Sequence, residues 1–292
     1  MPVIAAFFAY LLGCMLLSAA LLPWLYPFFE AWIGASPDRS LYRFGMLLAL
    51  LGLPFLLRAL GLRGRDLLGF APDAAGWKRA LLKGLLGGIL ILSGLILLLL
   101  LFGARDISLR DQLDLLTILK WTLGGLASGL AVGLIEEFFF RGPMHSGARK
   151  TLGFWATALL TGTFYSMVHF MRPIAPEGTI DIAEAMHMLF GGMAQLADFA
   201  QHGDRFVALL IAGMFLSMVR ERTGNILWAI GIHAGWVLII KVSKKLTATQ
   251  PDAALAWLVG GDGITGWLST VWMAAIALIY WWWSDPQRRA RG

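Results

Sequence analysis

Charged residues leave this chain in long stretches. Uncharged runs cover 4–29, 84–104, 151–168 and 263–284, each near or above the roughly 20 residues that cross a bilayer as an α-helix. Shorter runs at 44–57, 121–135, 206–219 and 223–240 become spans once flanking residues such as Arg58 and Arg220 keep their charged heads at the interface and their stems in the apolar layer. No alternating ten-residue pattern supports a barrel. The pattern predicts an all-α, polytopic membrane protein with about eight transmembrane helices. It forms a single membrane-embedded domain over 1–292, without a soluble domain, repeat or low-complexity tail.

Composition agrees. Hydrophobic residues make up 58% of the 292, charged residues 14%, and the mean hydropathy is +0.71, too little charge to clothe a soluble chain of this length. The net charge of +6 would suit a nucleic-acid partner, but its placement excludes one. Arg58, Arg63, Arg65, Lys78, Arg79 and Lys83 stand against Asp66 and Asp73, while Arg141, Arg149 and Lys150 have no acid among them, and Arg288, Arg289 and Arg291 close the chain. Segment 171–205 has the opposite balance, Arg172 and Arg205 against Glu177, Asp181, Glu184, Asp198 and Asp204. The positive-inside rule places the basic segments and both termini in the cytoplasm and 171–205 outside; the expected location is the plasma (inner) membrane. Segment 241–262, with Lys241, Lys244 and Lys245 against Asp252 and Asp262, dissents from that pattern. The first apolar stretch lacks a basic leader and a small-residue cleavage site, so it reads as a retained span. Cys14 is the one cysteine, which leaves no intrachain disulfide and no cysteine nucleophile with a nearby His.

Trp24, Tyr26, Trp32 and 280-YWWW-283 fall where spans meet interfaces, as an aromatic belt does. Segment 64–80 reads as a cytoplasmic connection near the surface. The stretch 180–200 reads as an amphipathic helix along the membrane face, and 253–261 is too short to span and suits the interface.

The chemistry concentrates in 135-IEEFFFRGPMH-145, at the end of an uncharged run. A charge at mid-bilayer costs on the order of 3 kcal/mol on insertion scales, so intramembrane charge is more often functional than decorative. Glu137 and Arg141 are i and i+4 with Glu first, the favoured helical pairing. Glu136 lies about 100° around the helix and lacks that partner. The pairing braces one acid and leaves the other suited to general-base work. His169 in 164-FYSMVHF-170 and His233 in 228-WAIGIHAGW-236 are the two imidazoles inside apolar runs. Glu136 stands 16 residues before Leu152 and His169 stands 17 after it, so an antiparallel hairpin turning near 151–153 puts both about 25 Å from the turn. That geometry requires the fourth helix to continue through 141–149 with a kink at Gly142-Pro143. His233 is nine residues past Gly224, about 14 Å, and reads as shallower unless the cytoplasmic hairpin near 151–153 projects beyond the turn at Gly224. His145, His187 and His202 read as solvated or interfacial.

No H-E-x-x-H occurs. The nearest serine elbow, 126-LASG-129, and the nearest aspartyl site, 259-VGGD-262, each lack a glycine of their pattern. What remains is a carboxylate–imidazole site able to direct water at a peptide carbonyl. Glu136, His169 and His233 also suit zinc as a ligand set; the expectation is metal-independent chemistry with no cofactor.

At these residues the sequence resembles the CPBP family, the CAAX-protease and bacteriocin-processing (Abi) intramembrane glutamic endopeptidases. The motif E-E-x-x-x-R is met by Glu136, Glu137 and Arg141; F-x-x-x-H is met at His169, with Tyr165 in place of Phe; H-x-x-x-N is met at His233. The resemblance covers about 120–240, so the catalytic core would be helices 4–7. It implies that Glu136 activates water with His169, that Glu137 and Arg141 brace the site, and that His233 helps hold the oxyanion. The partners it implies are a membrane-anchored protein or peptide substrate and the bilayer. Val237 stands where the family has Asn, so either another donor serves, Asn225 or Trp236, or activity is low or lost. A non-catalytic binding or immunity protein on the same scaffold, and a transporter using the Glu/His set as a proton relay, stay open alongside the protease.

Overall fold

The computed structural model describes residues 2–62, 64–70, 76–108, 114–250, 252 and 254–284. Of the charges counted above, Arg63, Asp73, Arg288, Arg289 and Arg291 lie outside the described residues. The principal helices are α1 (Pro2–Ile33), α2 (Pro37–Ala59), α3 (Trp77–Leu101) and α4 (Leu115–Phe139). They continue as the short α5 (His145–Arg149), then α6 (Phe154–Phe170), α7 (Ile182–Ala194), α8 (Phe199–Thr223), α9 (Ile226–Leu246) and α10 (Trp267–Trp283). Six of the stretches, 3–32, 37–59, 77–101, 115–149, 199–223 and 226–246, are long and apolar enough to cross a membrane. The two further segments read as spans, 151–168 and 263–284, form the 17-residue helices α6 and α10. Leu51, Phe55, Leu90, Leu97, Leu278 and Ile279 face outward and exposed, an apolar exterior that suits lipid and not water. The chain is an all-α polytopic membrane protein.

Two glycine stripes decide how the bundle closes. On α4, Gly125, Gly129 and Gly133 recur every four residues and meet Leu238, Ala234 and Ile230 of α9. On α3, Gly84 and Gly88 meet Trp228 and Ile232 of α9, which answers with Gly231 and Gly235 against Leu81 and Leu85. Within lipid there is no hydrophobic drive between helices, so close backbone approach through small residues supplies the packing. Helix α9 is thereby gripped between α3 and α4. On the other flank α6 is tied to α8, with Ser166 Oγ donating to the Phe206 carbonyl at 2.8 Å and Thr161 beside Ser217 at 3.3 Å.

At the far ends of α3 and α9 the short strands β1 (Arg105–Ile107) and β2 (Thr247–Thr249) pair antiparallel. Arg105 knits this end, donating to Thr247 Oγ1, the Thr247 carbonyl and the Gly263 carbonyl at 2.8, 2.9 and 2.8 Å. Within the described part of 253–261, Val259 is buried in the cluster of α3, α8 and α10 while Trp257 is exposed. Helix α7 is amphipathic as expected, and its apolar face, Ala185, Met188 and Leu189, packs in the cluster of α1.

The hairpin geometry holds with one refinement. Helix α4 ends at Phe139, a π-turn runs over Phe140–Met144, and α5 resumes at His145. Gly142 is non-helical there (φ −80°, ψ −115°). Pro143 has no N–H to give and its ring crowds the carbonyl four residues back, so the helix must break at this point.

Candidate active site

The π-turn directs Arg141 back onto its own helix. Its Nη1 lies 3.2 Å from Glu137 Oε1, its Nη2 donates to the Gly213 carbonyl of α8 at 2.8 Å, and the guanidinium sits 4.7 Å from the centre of the Tyr165 ring. Both Arg141 and Glu137 are fully buried. A buried charge survives only when paired and hydrogen-bonded; here one oxygen of Glu137 and both terminal nitrogens of Arg141 are engaged, while Glu137 Oε2 and Arg141 Nε have no partner among the described residues.

Glu137 has a second partner that its spacing does not reveal. His233 Nδ1 lies 2.8 Å from the same Oε1. A carboxylate held by a guanidinium is an acceptor, so Nδ1 carries the hydrogen and Nε2 is turned inward. His169 is oriented in the same way by backbone: its Nδ1 donates to the Tyr165 carbonyl at 2.9 Å. Both free Nε2 atoms face Glu136, at 3.9 Å from Oε2 for His169 and 3.8 Å for His233. Oε2 of Glu136 is buried and has no hydrogen-bond partner among the described residues. The structure thus brings Glu136, Glu137, Arg141, His169 and His233 into one cluster.

His233 is not shallower than His169. The α8–α9 turn lies low in the bundle: Ile226 N–H donates to the Gly69 carbonyl and Arg220 Nε to the Arg141 carbonyl, so the α5–α6 hairpin projects beyond it. His145 is not solvated either. It is 2% exposed, with Nε2 3.2 Å from Glu221 Oε2, and Arg149 donates to the same carboxylate at 2.9 Å. That cluster pins α5 to α8 and lies apart from Glu136. His187 and His202 remain at the surface of the 171–205 segment, half of His187 being exposed.

Of the two donors suggested to replace the missing Asn, Asn225 is ruled out. It caps α9 at the opposite end, where its Oδ1 accepts from Leu227 N–H at 3.0 Å. Trp236 lines the same cavity as His233 and Val237, and its indole N–H is buried without a partner among the described residues. Among the described residues no group of three or more His, Cys, Asp or Glu is arranged to hold a metal ion.

Glu136, His169 and His233 stand at the inner end of a cavity of about 340 Å³. Its wall is largely apolar, with Leu95, Val132, Ala212, Trp236 and Ile240. Arg172, Arg205, Lys241, Lys244 and Asp262 also line it, and of these Arg172, Lys241 and Lys244 are exposed and mark its mouth. The sequence reading did not assign these to a site. Nor did it use the glycine stripe 125–129–133, whose four-residue period is visible in the sequence and which sets the depth of His233.

An apolar helical bundle that buries two carboxylates, two imidazoles and a guanidinium around a cavity is a membrane protein with an intramembrane ionisable site, a placement that marks function. Residues 118–239 match the family described as type II CAAX prenyl endopeptidase Rce1-like. That segment runs from α4 to α9 and contains all five clustered residues, and the match supports the CPBP/CAAX-protease family and an intramembrane endopeptidase of CAAX-protease type. Neither curated proteins nor solved structures gave a match.

Proposed function

We propose that this protein is a glutamic, metal-independent endopeptidase that hydrolyses a peptide bond in a membrane-associated peptide or protein. The observation that carries this reading is Glu136 Oε2 lying 3.9 and 3.8 Å from the inward nitrogens of His169 and His233 at the end of the cavity. Those separations exceed a direct hydrogen bond and suit one bridging water. Because Glu136 and His169 both present lone pairs, such a water donates to each and turns its own lone pairs toward the substrate carbonyl. Glu136 takes the proton as general base, and His169 orients the water. Glu137 holds His233 by Nδ1, so that Nε2, when protonated, donates to the oxyanion. Arg141 holds Glu137 in place.

The test is cleavage, followed by mass spectrometry, of peptides that accumulate uncut in cells carrying Glu136→Gln. Purified protein is compared with Glu136→Gln and His169→Ala, and undiminished cleavage by either variant overturns the assignment. Activity that survives exhaustive chelation supports metal independence; loss restored by zinc overturns that part. The charge pattern favours a plasma membrane with both termini and the end bearing Arg79, Arg149 and Lys150 in the cytoplasm; single-cysteine labelling at position 187 reports the side of the cavity mouth.

A second reading, a non-catalytic binding or immunity protein, draws on Val237, an apolar residue in the cavity wall where the family has a donor. A cellular phenotype that survives Glu136→Gln but not disruption of the 171–205 segment selects it.

A further inference from the structure

The cavity changes character along its length. Past Glu136 and the histidines the wall is apolar, and at the mouth Arg172, Arg205, Lys241 and Lys244 stand with a single acid, Asp262. Among the described residues none of these four cations has a carboxylate oxygen within 4.0 Å. Lys241 donates to Ser128 Oγ at 2.6 Å, which leaves it the most committed of the four. Arg172 and Arg205 rest against aromatic rings, 5.6 Å from the centre of Tyr42 and 5.1 Å from that of Phe170. The Phe170 contact steadies Arg205 without using its in-plane N–H donors, whereas Arg172 also engages the Tyr42 hydroxyl with part of its fork. Arg105, a few residues away on the same end, is the contrast: its donors are taken up by Thr247, Thr249 and Gly263.

A concentration of one charge sign in a low-dielectric cleft focuses the field onto whatever enters. Asp262 answers only part of it, because its Oδ1 already accepts from the Ile264 and Thr265 amides. Glu136 repels a second anion from the inner end, so an anion is favoured at the mouth alone. We infer that Arg172, Arg205 and Lys244 form an anion subsite holding a carboxylate of the substrate peptide, while the apolar wall takes the side chains between it and the bond presented to Glu136. The inference rests on reading the cavity as a peptidase cleft. A planar carboxylate matches the guanidinium fork, and it can come from the end of the peptide chain or from an acidic side chain near it.

The test uses the full chain with Glu136→Gln in nanodiscs of phosphatidylcholine, so that binding is read without turnover. Fluorescent apolar peptides of about ten residues are compared as the free acid, the C-terminal amide, and amides bearing Glu or Gln beside the end. The carboxylate-bearing peptides are expected to bind about tenfold more tightly than their neutral counterparts, an advantage that shrinks with salt. Gain by the free acid identifies the chain end as the source; gain by the Glu amide identifies a side chain. In Arg205→Gln and Lys244→Gln the advantage is expected to fall within about twofold, with binding of the neutral amide unchanged, which also shows that the variants are folded. Equal binding of charged and neutral peptides, or equal loss on both in the variants, overturns the subsite. Loss of the advantage when phosphatidylglycerol replaces part of the lipid makes the mouth a lipid-headgroup site and overturns it as well. Cleavage by the unsubstituted protein reads the other claim separately: carboxylate-dependent binding without cleavage keeps the subsite and rejects the peptidase, and cleavage indifferent to the carboxylate does the reverse.

Discussion

His233 Nδ1 lies 2.8 Å from Glu137 Oε1, across 96 positions of chain. The same oxygen takes Arg141 Nη1 at 3.2 Å. One buried carboxylate oxygen therefore sets the orientation of an imidazole on α9 and neutralises a guanidinium at the α4 break, whereas its neighbour Glu136 is tied to neither. The adjacent glutamates answer differently to the same substitution.

Glu137→Gln leaves Arg141 as an uncompensated buried charge and replaces the carboxylate that orients His233 with a neutral amide. Breaking a buried pair from one side costs about 3–5 kcal/mol, so thermal unfolding in detergent is expected at markedly lower temperature, with activity lost. Glu136→Gln removes a carboxylate whose Oε2 has no partner among the described residues. Its stability is expected to stay within about 1 kcal/mol of the parent while turnover disappears. Equal destabilisation by both would contradict the division of roles.

The glycine stripes supply matched pairs. A Cβ at Gly88 would run into the Ile232 carbonyl, while one at the adjoining Gly87 meets nothing within 4 Å. Likewise Gly129 faces the Ala234 carbonyl, at 2.5 Å from an added Cβ, and Gly124 faces open space. Gly88→Ala and Gly129→Ala are expected to cost about 1–3 kcal/mol by overpacking. They should also reduce turnover by up to about 100-fold through displacement of His233. Gly87→Ala and Gly124→Ala should leave both measurements near the parent.

Val237→Asn places an amide donor one helical turn from His233, facing the same cavity. An oxyanion donor is worth about 10²–10³ in turnover where it is well aligned. A rise in kcat of about tenfold or more is expected, with little change in thermal stability. An unchanged kcat would mean that the oxyanion is already served, with Trp236 the nearest candidate.

Asp262 governs the loop that closes the cavity mouth. Burial works against its ionisation, but hydrogen bonds from Thr265 and Ile264 outweigh it and hold the carboxyl below the ordinary 3.8. Since the folded value is depressed, its stabilisation is present above the unfolded value and is lost as pH falls through the folded one. Protection from hydrogen exchange in 259–266, corrected for the intrinsic pH dependence of amide exchange, is expected to be high at neutral pH and to fall below about pH 4. Asp262→Asn should show the lower protection at neutral pH and converge with the parent once the carboxyl of the parent is protonated.

Much of this protein is legible in its sequence because the bilayer simplifies the problem. Every spanning segment must satisfy its own backbone, so a long uncharged run means a helix, and the runs 44–57, 121–135 and 206–219 fall within helices in the structure. The Glu137–Arg141 pair is legible for the same local reason, a four-residue helical spacing. The depth match of Glu136 and His169 follows from rise per residue along a hairpin. That arithmetic misplaced His233, because it assumes equal turn heights and the α8–α9 turn lies below the α5–α6 one. It also left His145 in solvent, since nothing near it in sequence reveals Glu221, 76 positions on.

What the sequence determined by itself is the class of structure and the chemical inventory: apolar helices, two adjacent carboxylates, an arginine one turn on, and two imidazoles in later spans. What only the tertiary structure decided is connectivity among them. Glycine stripes on α3 and α4 bring α9 close enough for His233 to reach Glu137, and the break at Gly142-Pro143 turns Arg141 back to meet them. The cationic mouth, gathered from α8, α9 and the segment after α6, is equally invisible in one dimension. The physical reason is range: helical periodicity is set within a few residues, while interhelical approach depends on which small residues happen to face each other across the bundle.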